Sequence, residues 1–301
     1  MSPAALPPDW PHAERSRFVD AGGLRWHVQE FGEGGEGGES LLLLHGTGAS
    51  AHSFRALAPR LAVGRRVLVP DLPGHGFSDA LPPRRSGMEG MGEALGALLA
   101  ALGARPRIVL GHSAGAALLA RACLDRRLAP ERLVSLGGAL LPLGGTAGLL
   151  FPPAARLMAG SGLLPRWVAR RAEDPRAVDR LLAGTGSRLD AEGVAIYRRL
   201  LQRPAHVAGA LRMMAAWDLP SLARDLPRLD VPVTLVHADE DRTLPVRYAD
   251  RLLAALPRAD AVRLPGLGHL AHEERPETVA RLLEALLEPS GASPPGPAVI
   301  G

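Results

Sequence analysis

The chain has 301 residues, of which 47% are hydrophobic, 22% charged and 4% aromatic, a balance that suits a folded α/β protein and excludes disordered and fibrous classes. Its formal net charge is +4, all 35 basic residues are arginine, and they are scattered among 31 acids, so no basic run marks a nucleic-acid-binding protein. The apolar runs fall short of the ~20 residues of a membrane span, residues 1–11 lack the pattern of a signal peptide, and the single cysteine, Cys123, excludes an internal disulfide and points to the reducing cytoplasm.

In chain order, a proline-rich leader over residues 1–14 precedes two strands, 15–20 and 24–31, joined as a hairpin by Ala21-Gly22-Gly23. Residues 32–38 read as a flexible glycine-rich loop. Leu41 to Leu44 is a fully apolar run ending in His45-Gly46-Thr47-Gly48, the pattern of a strand buried on both faces of a parallel sheet. Residues 66–70 repeat it before the loop Asp71-Leu72-Pro73-Gly74-His75-Gly76-Phe77-Ser78. A helix is expected over 88–102, then the strand that runs into Gly111-His112-Ser113-Ala114-Gly115, a helix to about Arg127 carrying Cys123 as a small apolar residue, and a strand at 132–136.

The β/α alternation implies a mostly parallel sheet flanked by helices. It stops between residues 138 and 225, where helical segments are expected at 154–158, 166–171, 177–183, 191–201 and 205–217, and resumes with a strand at 231–236, a helix at 246–256, a strand at 261–264 and a helix at 277–287. The expected organisation is therefore a core in two parts, 1–137 and 226–289, an inserted helical cap at 138–225, and a disordered tail at 290–301 rich in Ser, Gly and Pro.

The chemistry centres on G-H-S-A-G. A strand turning sharply into a helix exposes Ser113 at the strand's end, and Gly111 and Gly115 remove side chains that would clash there. The backbone N–H of Ala114, at the positive end of the helix, is one expected oxyanion donor, and the N–H of Thr47 in the H-G-T-G loop is the other. A serine hydroxyl needs a base and a carboxylate to orient that base. His269, in Gly266-Leu267-Gly268-His269, is the expected base. Asp241 is preferred over Asp239 as the acid, because the loop must travel beyond the strand before turning into the helix at Pro245. His272 and His269 lack a third ligand at metal spacing, so neither a metal site nor a cofactor is expected. His112 is read as structural, and His45 and His75 as hydrogen-bonding partners of the loops.

These motifs, in this order, resemble the α/β-hydrolase fold from Leu24 to about Leu287, with Ala238 departing from the glycine usual three residues before the acid. Further stretches, among them Gly184-Thr185-Gly186-Ser187-Arg188-Leu189-Asp190, Met213-Met214-Ala215-Ala216-Trp217-Asp218-Leu219 and His269-Leu270-Ala271-His272-Glu273-Glu274, resemble the magnesium-chelatase accessory proteins of bacteriochlorophyll biosynthesis. That resemblance implies a place at the insertion of magnesium into protoporphyrin in phototrophic bacteria. It leaves three expectations open: a serine hydrolase acting on a small or tetrapyrrole-derived ester, a non-catalytic accessory that binds a porphyrin or a chelatase subunit, and a different reaction on the same triad, such as carbon–carbon bond hydrolysis or cofactor-free peroxidation. Carboxylate-nucleophile chemistry of the haloalkane dehalogenase and epoxide hydrolase kind is disfavoured by Ser113. Phe151, Leu157, Met158, Trp167, Met213, Met214 and Trp217 are expected either to line an apolar substrate roof or to form the cap's own core.

Overall fold

The computed structural model describes residues 6–33, 39–142, 158 and 160–287. Eight strands appear in chain order as β1 (Ser16–Ala21), β2 (Leu24–Phe31), β3 (Glu39–Leu44), β4 (Arg66–Pro70), β5 (Arg105–His112), β6 (Arg132–Leu136), β7 (Val233–Ala238) and β8 (Ala259–Leu264). They form one sheet in the order β1-β2-β4-β3-β5-β6-β7-β8. The β1–β2 hairpin and the β2–β4 pair are antiparallel, and every other neighbouring pair is parallel. β7 begins two residues later than its apolar pattern suggests. Pro232 has no N–H for the ladder, and pairing instead extends through Ala238 against Leu264.

Flanking helices are α1 (Ala58–Leu61), α2 (Met88–Ala101) and α3 (Ala114–Leu124) in the first part of the chain, with α9 (Val246–Ala255), α10 (Ala271–Glu274) and α11 (Pro276–Leu287) in the second. Side chains alternate across a strand, so the four leucines of β3 split two and two. Leu42 and Leu44 join Leu68, Val109 and Val233 in a core closed by α2, α3 and α9, while Leu41 and Leu43 join Val67, Leu110 and Val134 beneath α1 and α11. Each fully buried leucine stabilises by about 1.5–3 kcal/mol, which is why a strand covered on both faces reads as an unbroken apolar run. Cys123 is buried and unpaired, and burial pushes its thiol up to about 12, so it packs as an inert apolar group.

Between β6 and β7 the described residues are helical: α4 (Leu164–Arg171), α5 (Pro175–Ala183), α6 (Ala191–Leu201), α7 (Pro204–Ala216) and α8 (Leu219–Asp225). Asp174, Asp190 and Asp218 cap α5, α6 and α8 by accepting the N–H of Arg176, Gly193 and Ser221, each cap contributing about 1 kcal/mol. The helix expected at 154–158 lies, except for Met158, outside the described residues, as does the tail at 290–301. No helix among the described residues is long and apolar enough to cross a membrane.

The insertion meets the core along a polar seam at the C-terminal ends of the parallel strands. From α7, His206 Nδ1 accepts the Gly76 N–H at 3.0 Å and its Nε2–H donates to the Gly48 carbonyl at 3.1 Å. From α6, the Tyr197 hydroxyl donates to Glu273 at 2.7 Å, and Glu273 also receives Arg55 and Ser53. Beneath them, Asp71 accepts the N–H groups of Ala51 and Phe77 and lies 2.8 Å from His27 Nδ1. Burial opposes charge on Asp71, but His27, His45 and the Ala51 N–H together outweigh it and hold the carboxyl below its usual range.

Burial holds seven imidazoles below the usual 6.5: His45, His52, His75, His112, His237, His206 at about 4 and His272 at about 3. The unfolded chain binds protons at these sites as the pH drops through 6.5, whereas the folded chain resists. Their contribution is therefore fully present above that pH and lost below it. Glu273, raised by burial, works in the opposite sense, one carboxyl against seven imidazoles. The urea midpoint should hold steady from about pH 7 to 8 and fall steeply from about pH 6.5 to 4, each imidazole adding at most about 1.4 kcal/mol per pH unit to the slope. A midpoint that rises over that interval would contradict the neutral seam.

Candidate active site

β5 lies between β3 and β6 and delivers its last residue, His112, to the edge where the insertion sits. α3 starts two residues later, leaving Ser113 alone to make the turn at φ 51° and ψ −117°. A positive φ in a residue with a Cβ costs about 1–3 kcal/mol and persists only where the surroundings impose it. Here they do: a Cβ on Gly111 would lie 2.3 Å from the Ala116 nitrogen, and one on Gly115 would lie 2.4 Å from the Leu44 carbonyl oxygen. The helix thus packs against the strand ends at backbone distance. Ser113 N–H donates to Leu136 O at 3.1 Å, and Ser113 O accepts from Ala116 and Ala139. The main chain is pinned on both sides while the hydroxyl, which caps nothing, stays half-exposed.

Asp241 and His269 stand on the loops after β7 and β8. His269 Nδ1 and Asp241 Oδ2 are 2.7 Å apart, and Asp241 Oδ1 accepts the N–H groups of Thr243 and Leu244 at 2.8 Å each. An ionised carboxylate only accepts, so His269 Nδ1–H is the donor in this bond. Asp239, two residues earlier, turns outward to Arg263 at 2.9 Å. Gly137, after β6, lies under the pair: a Cβ there would come within 3.3 Å of His269 Nδ1.

His112 joins the elbow to the histidine loop. Its Nε2–H donates to the His269 carbonyl at 3.0 Å, and the two rings are 4.7 Å apart. Ser113 Oγ itself makes no hydrogen bond among the described residues, and such contacts close in many hydrolases only when substrate binds.

The H-G-T-G loop lies against the elbow, where a Cβ on Gly46 would stand 3.0 Å from Ser113 Cβ. His45 Nε2 accepts the Leu72 N–H at 2.9 Å, so its Nδ1–H donates to the Gly46 carbonyl at 2.8 Å. This neutral imidazole clips the loop after β3 to the loop after β4. His75 uses its Nδ1 on the Pro73 carbonyl at 3.3 Å. No hydrogen bond among the described residues occupies the N–H of Thr47 or of Ala114, the first residue of α3. Two free donors thus flank Ser113.

Of the expected roof residues, Met213 is fully buried in the main core and its sulfur receives the Thr47 hydroxyl at 3.7 Å. Met214 is half-buried, as is Trp217, which packs on the main core with its Nε1 buried and unpartnered. Trp167 faces outward on α4 with 61% of its surface exposed. Phe151 lies outside the described residues. No group of three His, Cys, Asp or Glu among the described residues is arranged to hold a metal ion, and His272 is turned toward Ser53 at 2.8 Å. Sequence reasoning missed His206, Thr185 and Ser187. A histidine on the otherwise apolar face of α7 was the available signal for the first, and a glycine-bracketed polar pair in a helical region was the signal for the others.

A model of the alpha/beta hydrolase family matches residues 41–282. The chain is 40% identical over 288 residues to the magnesium-chelatase 30 kDa subunit of Rhodobacter capsulatus, covering 96% of this chain and 100% of that protein. It is 28% identical over 279 residues to a 2-hydroxy-6-oxononadienedioate/2-hydroxy-6-oxononatrienedioate hydrolase of Pseudomonas putida, covering 88% and 92%. Among solved structures, a thermophilic esterase from Thermogutta terrifontis superimposes with a TM-score of 0.71 at 22% identity, covering 90% of this chain and 97% of the esterase. The epoxide hydrolase CorEH superimposes with a TM-score of 0.75 at 22% identity, again over 90% and 97%. At that identity the likeness is one of fold. With the family model spanning most of the chain and the sheet order, elbow and loops in agreement with it, this chain belongs to the α/β-hydrolase family.

Proposed function

We propose that this chain is a serine hydrolase serving the magnesium-chelatase step of bacteriochlorophyll biosynthesis in the cytoplasm, and that it cleaves a small or tetrapyrrole-derived ester with Ser113, His269 and Asp241. The observation that carries the reading is the buried His269–Asp241 hydrogen bond at 2.7 Å, on loops that meet the exposed serine elbow. In the proposed reaction Ser113 Oγ attacks the ester carbonyl while His269 Nε2 takes its proton. The Thr47 and Ala114 N–H groups hold the oxyanion, and Asp241 stabilises the imidazolium. His269 then protonates the departing alcohol. Water, activated by the same imidazole, releases the acid and restores the serine.

In this reading residues 138–225 act as a cap over the core segments 1–137 and 226–289. Met214 of α7 and Trp217 just after it, both half-buried, contact the substrate in this reading, while Met213 lies sealed in the main core beneath them. The name of the Rhodobacter capsulatus relative, a chelatase subunit, favours a second reading, in which the fold binds a porphyrin or a chelatase subunit and performs no hydrolysis.

A fluorophosphonate should label the wild-type protein and leave Ser113→Ala unlabelled. His269→Ala should slow labelling by about 10²–10⁴-fold. Asp241→Asn should slow it far more than Asp239→Asn, whose side chain pairs with Arg263; the reverse ranking would move the acid to Asp239.

A photosynthetic host separates hydrolysis from binding. Ser113→Ala removes one half-exposed hydroxyl and should cost at most ~1 kcal/mol of stability. If the pathway needs the reaction, this strain accumulates protoporphyrin and loses bacteriochlorophyll as a deletion does. Normal pigment at normal protein abundance would refute the hydrolase reading and leave the binding one.

A further inference from the structure

The stretch Gly184-Thr185-Gly186-Ser187-Arg188 has no part in the proposed reaction, yet it runs between the two loops that carry Asp241 and His269. The Thr185 carbonyl accepts the N–H of Arg242 at 3.1 Å and the N–H of His269 at 3.3 Å. One hydrogen-bond acceptor therefore ties the residue after the acid to the histidine. Ser187 Oγ accepts the Leu270 N–H at 2.8 Å, in a position where Ser187 and Leu270 are both buried. Glu274 accepts the N–H of Gly268 at 2.8 Å and of Arg188 at 3.1 Å. Three consecutive N–H groups around His269 are thus satisfied, two of them by the insertion.

The approach is at backbone distance. A Cβ on Gly186, whose φ is +87°, would lie 1.9 Å from the Glu240 carbonyl oxygen, and a Cβ on Gly268 would lie 2.4 Å from the Gly186 carbonyl carbon. On its other side the His269 carbonyl accepts the His112 imidazole. The main chain of His269 is consequently held at its N–H by the insertion and at its carbonyl by the elbow. Its Nδ1 points to Asp241 because both ends are held.

We propose that Ser187 is a positioning residue, and that the Thr185–Ser187 segment of the insertion sets the geometry of the His269–Asp241 pair. The proposal rests on the catalytic reading in assigning this geometry a use, but the geometry itself is measurable without any reaction. Loss of the Ser187 hydroxyl leaves the buried Leu270 N–H without a partner, and the loop must shift to recover one. Displacement of a reacting group by about 1 Å costs about 10²-fold in rate.

The test combines fluorophosphonate labelling with proton NMR of the full chain. The His269 Nδ1–H, hydrogen-bonded to a carboxylate, gives a far-downfield resonance, assigned by its loss in Asp241→Asn. Ser187→Ala should keep the wild-type circular dichroism, move or broaden that resonance, and label about 10- to 100-fold more slowly. Arg188→Ala, whose side chain has no polar partner among the described residues, should match the wild type in both. Thr185→Val keeps the carbonyl but loses the hydroxyl bonds to Leu182 and Ser187, and should move the resonance with a smaller, several-fold loss of labelling. It serves as the reading if Ser187→Ala does not fold.

A folded variant with an unmoved resonance and the wild-type labelling rate overturns the proposal. The same NMR comparison in a Ser113→Ala background separates the two claims. A resonance that moves there while the wild type itself fails to label upholds the positioning and refutes the hydrolase; an unmoved resonance with normal wild-type labelling does the reverse.

Discussion

The site depends on how closely the start of α3 is pressed against the ends of β3 and β5. Gly115 lies against the Leu44 carbonyl and Gly111 against Ala116, so one residue is left to reverse the chain, and its φ is driven positive. That strain is sustained because the backbone of Ser113 is bonded to β6 and to the segment after it. The same closeness exposes the hydroxyl, leaves the Ala114 N–H free at the helix's positive end, and brings the H-G-T-G loop alongside with its own free N–H. Four features that look separate in the chain follow from one packing distance.

A second layer of organisation comes from histidine. Buried imidazoles join loops that share no backbone ladder: His45 joins the loops after β3 and β4, His112 joins the elbow to the histidine loop, and His206 joins α7 to two loops of the core. A neutral imidazole suits this task because it donates at one nitrogen and accepts at the other, so it can satisfy a carbonyl and an N–H at once. Burial keeps His45 and His206 neutral and thereby preserves that dual role, whereas His112 uses only its Nε2–H, its Nδ1 being buried without a partner among the described residues. The carboxylates at the seam divide in the opposite way. Asp71 is held charged by His27 and two backbone donors, whereas burial raises Glu273 despite Arg55.

The helical insertion is bound to this seam by directional contacts rather than by apolar area alone. Its α6 and α7 reach Glu273, Gly48 and Gly76, and the segment before α6 reaches the backbone of His269. A molecule that shifts the insertion therefore acts on the histidine loop through hydrogen bonds. This coupling has a use in either functional reading. A hydrolase would gain a way to align its base when substrate binds, and a porphyrin- or subunit-binding protein would gain a way to transmit occupancy to the core.

The local grammar of the chain carried most of the fold. Four leucines in a row, the alternation of apolar strands with helices, and the glycines around Ser113 are all local statements about dihedral angles and burial, readable without knowing where the chain goes next. They determined the sheet, its helices, the helical character of the described residues between β6 and β7, and the turn that exposes the serine. Other features were decided by tertiary structure. Asp239 and Asp241 lie in one loop and differ by two residues; closure of that loop on Thr243 and Leu244 turns one carboxylate inward to His269 and leaves the other to Arg263. Trp167 and Met213 are both large apolar helix residues, yet one faces outward and the other is sealed beneath α7, because the docking of the whole helix selects its buried face. The contacts of Thr185 and Ser187 with the histidine loop had no local signature beyond two glycines. They join residues far apart in the chain, and such hydrogen bonds exist only after the packed sheet has brought their loops together.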